Sequence, residues 1–148
     1  MSSPVEIISG IWVGDVNYAH NNNFYINNKI DIIINCTYDS EFINLDDIKF
    51  KIKVPFINDI QSKHNIVVIN DYISKVLEIM YKSINNHNIF IYSYDMYTIP
   101  LSILGIFIIK YGNINEDSIE HIIKSKLNLD YYNKDISIDI SLYRHLIN

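Results

Sequence analysis

The residues best placed to do chemistry lie in one short loop, residues 93–99, between two apolar segments. The run Ile89–Tyr92 is typical of a central strand buried on both faces. Pro100 favours the first turn of a helix, and Leu101–Ile109 is apolar nearly all round, which predicts a buried helix. A loop between such a strand and such a helix is the usual place for an anion or an active site in an α/β domain. This loop is therefore the candidate site, and Ser93 is its candidate nucleophile.

The chemistry available to Ser93 is limited by its neighbours. A hydroxyl needs an adjacent base to become a nucleophile, and the loop contains no histidine. The only arginine of the chain, Arg144, is distant in sequence, so the loop has no guanidinium to hold a phosphate. Cys36 falls in a run that predicts a buried strand, which favours a small core residue over a reactive thiol. No catalytic residue is therefore predicted.

Composition narrows the class of protein. The 148 residues predict a single domain, 1–148, and one cysteine excludes an internal disulfide and fits a reducing intracellular setting. A net charge of -5 with one arginine argues against nucleic acid as a partner. No two histidines have a convincing metal spacing, so neither a metal nor a cofactor is expected. The longest apolar run, around Ile99–Ile109, is shorter than the roughly 20 residues that cross a bilayer, which predicts a soluble protein without a membrane partner.

Apolar periodicity predicts the elements that position the loop. Besides Ile89–Tyr92, strands are predicted at Val5–Ile8, Ile11–Val13, Asp31–Thr37 and Phe50–Pro55. Helices are predicted near Val16–His20 with Asp15 as cap, and at Phe24–Lys29, Asn65–Ile84, Glu116–Lys126 and Ser141–Leu146, with Tyr131–Asp135 as loop. This order predicts an α/β fold, a central sheet of about five strands flanked by helices. The right-handed crossover rule places the long helix on one face of the sheet.

Four segments, taken in order and spacing, carry a resemblance to a known family: Ile7–Asp15, Asp31–Thr37, Val54–Asp59 and Leu142–Leu146. They resemble, in turn, the opening strand pair, an inner strand, the general-acid loop and the closing helix of the dual-specificity protein phosphatases. That family belongs to the cysteine-dependent tyrosine phosphatase superfamily and includes small viral members. The resemblance implies a dual-specificity-phosphatase-like fold over almost the whole chain.

The spacing of the family's diagnostic motif can be placed on this sequence, but the residue types that do its chemistry are absent. The motif is a strand, His-Cys, five residues, Arg, and then Ser or Thr opening a helix. Laid on this sequence without gaps, it places Tyr92 at the His, Ser93 at the nucleophilic Cys, Ile99 at the phosphate-binding Arg and Pro100 at the hydroxyl residue. All four positions differ, so the resemblance implies a phosphatase without catalytic residues. Asp59 falls at the general-acid position and is interpreted as vestigial, or as a turn or cap residue.

The rest of the degenerate phosphate loop consists of Tyr94, Asp95, Met96, Tyr97 and Thr98. Bulky side chains and one carboxylate replace the small residues that let backbone N–H groups point at a phosphate, so a dianion should be excluded. The large side chains can be arranged in two ways. They form an exposed binding surface of residue types enriched in interfaces, or they fold inward and plug the pocket.

The resemblance implies a catalytically inactive pseudophosphatase that binds a protein partner, as a scaffold or as a competitor of a host or viral protein. Competing hypotheses are residual or unusual phosphatase activity, a phosphopeptide-binding reader, and a structural or dimerisation domain that forms a homodimer. Heavy use of Ile, Asn, Tyr and Lys is typical of AT-rich genomes such as those of many large DNA viruses and some parasites. This bias suggests a viral, poxvirus-like origin, with the host-cell cytoplasm as the expected location.

Overall fold

Five strands form one mixed sheet in the computed structural model, which describes residues 3–54 and 63–127. The strands are β1 (Val5–Ile8), β2 (Ile11–Asp15), β3 (Ile30–Asn35), β4 (Phe50–Lys53) and β5 (Asn88–Ser93). Their order is β1-β2-β5-β3-β4, in which β1 is antiparallel to β2 and the other neighbours are parallel. The predicted α/β sheet is confirmed, and each predicted strand is present with small shifts at its ends.

The central position of β5 explains its apolar sequence. It lies between β2 and β3, and Ile89, Phe90, Ile91 and Tyr92 are each 0% exposed. The neighbouring strand makes room for the Phe90 ring with Gly14, where an added Cβ would lie 2.8 Å from a ring carbon. The prediction of a strand buried on both faces is therefore confirmed.

Four helices are seen within the described ranges: α1 (Asn22–Asn27), α2 (Lys63–Ser83), α3 (Ile99–Gly112) and α4 (Ile119–Leu127). Short 3-10 turns precede α1 and α4, and the Asp15 carboxylate caps the first by accepting the Asn17 N–H at 2.9 Å, as predicted. The predictions for Tyr131–Asp135 and Ser141–Leu146 lie outside the described residues. In the described part of the chain, no helix combines the length and apolar character needed to span a membrane.

The helices cover the two faces of the sheet unequally. Ile73 and Leu77 of α2, together with the apolar side chains of α3, pack against one face, which is formed by residues such as Ile32 and Ile91. On the opposite face, α1 packs Phe24 and Tyr25 against a smaller cluster, which also contains Ile33, Phe90 and Tyr92. The long helix therefore lies on one face, as the crossover rule predicted. This packing fixes the end of β5 and the start of α3, and hence the connection between them.

Candidate functional site: the connection between β5 and α3

The connection consists of residues 94–98. It lies between Ser93, the last residue of β5, and Ile99, the first residue of α3. Because β2, β3, β4 and β5 are parallel, their carboxyl ends meet at one edge of the sheet. Asn35 of β3 and Lys53 of β4 therefore end at the same edge of the sheet as Ser93. The candidate loop lies where the sequence predicted it, at the carboxyl edge beside a buried helix. Asp59, at the general-acid position, lies outside the described residues.

The Ser93 hydroxyl is turned into the protein. It donates a hydrogen bond to the backbone carbonyl of Cys36 at 3.0 Å, and the residue is only 2% exposed. A carbonyl oxygen cannot take the proton as a general base does, so this contact orients the hydroxyl without activating it. The arrangement is a structural hydrogen bond between the ends of β5 and β3.

Cys36 lies in the core directly beyond β3. It is 0% exposed, and burial raises the pKa of its thiol, with Lys53 acting weakly in the other direction. A reactive cysteine needs a lowered pKa and access to solvent, and neither condition is met here. The structure agrees with the interpretation of Cys36 as a small core residue.

Asp95 organises the loop from within. One of its carboxylate oxygens accepts the backbone N–H groups of Tyr97 at 2.8 Å and Thr98 at 3.0 Å, and also the Thr98 hydroxyl at 3.1 Å. These donors precede Ile99, the first residue of α3, so the side chain closes a turn just before the helix and does not cap the helix itself. The sequence predicted that Asp95 repels an anion but missed this turn, although an aspartate two and three residues before such N–H groups is a known turn signal.

The large side chains of the loop divide between the two predicted arrangements. Met96 is 2% exposed and belongs to the core beneath α3, and Tyr97 packs partly against the same core. Tyr94 is 48% exposed and points outward. The loop is thus filled from below by Met96 while it presents Tyr94 at its surface.

Tyr94 also joins this loop to the one that follows β3. Its hydroxyl donates to the Asp39 carboxylate and accepts the backbone N–H of Tyr38 at 3.1 Å and of Asp39 at 3.4 Å. Sequence reasoning did not identify Tyr38 or Asp39, because the contact spans more than fifty residues and has no local signal.

The loop after β3 is held by a buried polar network. Asn35, 0% exposed, accepts the Thr37 N–H at 2.9 Å and the Thr37 hydroxyl at 2.6 Å, and its amide donates to the Ser40 carbonyl at 2.7 Å. The Lys53 ammonium donates to the same carbonyl at 2.7 Å. Burial lowers the pKa of Lys53, while Asp39 opposes that shift. The ammonium group of Lys53 therefore already has a hydrogen-bond acceptor, the Ser40 carbonyl.

The remaining positions of the degenerate motif are apolar or buried. Tyr92 is 0% exposed, stacks on Phe90 with ring centroids 5.4 Å apart, and has its pKa raised by burial. Ile99 packs against the core, and Pro100 is buried in the first turn of α3. Among residues 3–54 and 63–127, no three His, Cys, Asp or Glu side chains are grouped as a metal site requires.

Solved structures with this architecture are phosphatases and phosphatase-like proteins. Human DUSP28 matches with a TM-score of 0.78 at 9% identity, covering 99% of this chain and 94% of that chain. DUSP15 matches with a TM-score of 0.74 at 14% identity, covering 97% and 84%. The human tyrosine phosphatase-like serine/threonine/tyrosine-interacting protein matches with a TM-score of 0.73 at 11% identity, covering 97% and 92%.

No protein-family model and no curated protein sequence matches this chain. The structural likenesses nevertheless show that the chain has the α/β fold of the dual-specificity phosphatases. At these identities a shared fold does not carry over the role of any residue. The side chains of the loop itself therefore determine what chemistry it can perform.

Proposed function

We propose that this protein is a catalytically inactive pseudophosphatase that acts by binding another protein. The observation that carries the proposal is the state of Ser93, which is buried and donates its hydroxyl hydrogen to the Cys36 carbonyl. In the frame of the phosphatase motif this residue stands at the nucleophile. A hydroxyl with no base and no access to solvent cannot fill that role.

Two further features of the loop support the loss of catalysis. Ile99 stands at the motif arginine and packs against the core, so it offers no charge to a phosphate or to a developing transition state. The N–H groups of Tyr97 and Thr98 already donate to Asp95. A phosphate would have to displace a covalently attached carboxylate and lie beside its charge.

Protein binding is supported by the side chain that the loop exposes at its surface. Tyr94 is exposed and is held by hydrogen bonds from a second loop. Among the proteins with this fold, the tyrosine phosphatase-like protein is by its name an interacting protein, so a binding role is compatible with the fold. The AT-rich coding bias supports a poxvirus-like origin, and with it a role as scaffold or competitor of a host or viral protein in the host cytoplasm.

An aryl phosphate assay tests the loss of catalysis, with an active dual-specificity phosphatase as positive control. We expect no phosphate release above a blank, and none from the Ser93→Cys/Ile99→Arg variant, because Asp95 and Met96 still occupy the loop. Turnover by the wild-type protein that Ser93→Ala abolishes would overturn the proposal in favour of an unusual phosphatase.

Binding experiments distinguish protein binding from a phosphopeptide reader and from a structural domain. Capture of a phosphotyrosine peptide that inorganic phosphate competes away would indicate a phosphopeptide reader. A stable homodimer in solution, with no protein captured from the host cell, would indicate a structural domain. Capture of a protein independently of phosphate is the result expected here.

A further inference from the structure

Two tyrosines, joined by a hydrogen bond between their loops, are exposed at the carboxyl edge of the sheet. Tyr38 is 64% exposed and Tyr94 is 48% exposed. They belong to different loops, and the Tyr94 hydroxyl bonds both the Tyr38 backbone and the Asp39 carboxylate. The Tyr94 ring is therefore held outward in one position, so a ligand that packs on it loses little side-chain entropy. Exposed, preorganised aromatic rings are the side chains that most often anchor protein interfaces.

Within the described part of the chain, two carboxylates adjoin Tyr94. Asp39 accepts its hydroxyl hydrogen, and Asp95 follows it in the chain. Asp39 and Asp95 each use one oxygen in the bonds described above, and the second oxygen accepts no hydrogen bond within the described part of the chain. Lys53 offsets one of these charges, but its ammonium already donates to the Ser40 carbonyl. The surface thus combines aromatic rings with carboxylate oxygens that remain available.

We propose that this surface, defined by Tyr38, Asp39, Tyr94 and Asp95, binds an arginine- or lysine-bearing segment of the protein partner. The inference rests on the proposed protein-binding function and adds the charge of the partner. A guanidinium can stack on a tyrosine ring while its N–H groups donate to a neighbouring carboxylate. An acidic or phosphorylated segment would meet like charges and be repelled. The edge of the sheet that holds anions in phosphatase-like folds is thus selective for cations here.

Fluorescence anisotropy with a labelled, flexible Gly/Ser peptide that carries several arginines tests the proposal at physiological ionic strength. A peptide of equal length with glutamates in place of the arginines is the charge control. We expect the double variant Tyr38→Ala/Asp39→Asn to weaken arginine-peptide binding by about tenfold, as the loss of a cation–π contact and an exposed ion pair together predicts.

A second double variant distinguishes this surface from general attraction to an acidic protein. Asp46→Asn/Asp47→Asn removes two exposed carboxylates just before β4, at the opposite edge of the sheet. Because screening at this ionic strength acts over about 8 Å, we expect affinity for the arginine peptide to change less than about twofold. Thermal unfolding of both double variants confirms that each is folded.

Several outcomes would overturn the inference. They are equal losses of affinity in the two double variants, tighter binding of the glutamate peptide, and no measurable binding of the arginine peptide. A natural partner that binds Tyr38→Ala/Asp39→Asn as tightly as wild type would also overturn it, while the proposed function would stand. Failure of the proposed function has different signatures. They are phosphate release in the aryl phosphate assay, phosphate-competitive capture of a phosphotyrosine peptide, and a homodimer that captures no protein.

Discussion

Two loops leave the same edge of the sheet, and they satisfy their polar groups in different ways. The loop between β5 and α3 is closed locally, because Asp95 accepts N–H groups two and three residues ahead. The loop after β3 has local bonds as well, from Asn35 to Thr37 and Ser40, but it is also closed by distant groups. Lys53 reaches back to it from β4, and Tyr94 contributes from 56 residues away. The first loop can form as soon as α3 forms, whereas the second requires the assembled sheet.

The difference shows that the fold of this chain does not require an open anion-binding loop. Asp95 accepts the N–H groups of Tyr97 and Thr98, and Met96 is buried in the core. Long-range closure by Tyr94 ties this loop to its neighbour. The sheet and α3 pack through other residues, Ile91 and Leu101 among them.

Asn35→Ala should have the largest effect, because it removes the buried centre of the network that closes the loop after β3. The Thr37 N–H and hydroxyl lose their acceptor in a region where Asn35 and Thr37 are each 0% exposed. We expect the free energy of unfolding to fall by about 3 kcal/mol. Urea denaturation measures this change, and Asn44→Ala, at an exposed position of the same loop, should change it by less than about 0.5 kcal/mol. Similar losses in the two variants would contradict the importance of the network.

Alkaline pH should weaken the same region through Cys36. Its folded pKa is raised by burial above the ordinary value of 9.0, so the native state keeps a proton that the unfolded chain loses. Stability from this group is complete below pH 9.0 and is lost as pH rises above it, at about 1.4 kcal/mol per pH unit. Urea denaturation under reducing conditions from pH 8 to 10 measures the slope.

Cys36→Ala provides the control for this pH dependence. The variant should be less stable at every pH because of the cavity, but its stability should fall less steeply between pH 9 and 10. Equal slopes for the variant and the wild type would show that Cys36 does not titrate on unfolding in this range.

The same contrast explains what the sequence could predict. The strands and α2 have clear periodicities, and the apolar runs of β5 and α3 located the candidate site. The core position of Cys36 and the mismatch at Ser93 and Ile99 were also readable. The Tyr94 bonds to Tyr38 and Asp39 were not, because they depend on which strands end side by side. The direction of Met96 is not predictable for a similar reason, since a thioether next to a carboxylate suits either a surface or a core.

Asp95→Ala should have an intermediate effect, confined to the locally closed loop. It removes the acceptor for the Tyr97 and Thr98 N–H groups at the start of α3. We expect a loss of about 1 kcal/mol in the free energy of unfolding, the usual net contribution of such hydrogen bonds. Asp95→Asn keeps one oxygen acceptor and should lose less. A loss in Asp95→Asn as large as in Asp95→Ala would mean that the charge, and not the hydrogen bonds, stabilises the loop.

Tyr94→Phe should have the smallest effect on stability, and it still tests whether the two loops open independently. The ring keeps its packing, and only the hydroxyl that links it to Tyr38 and Asp39 is lost. Because the contact is exposed, the free energy of unfolding should fall by about 0.5 kcal/mol or less.

Amide hydrogen exchange is the sharper measurement, since the Tyr38 and Asp39 N–H groups lose their acceptor and should exchange faster. The Tyr97 and Thr98 N–H groups remain bonded to Asp95 and should be unaffected. Tyr81→Phe, which removes a hydroxyl from an exposed ring on α2, should leave all four rates unchanged. Faster exchange at Tyr97 and Thr98 in Tyr94→Phe would show that the two loops open together and are not independent.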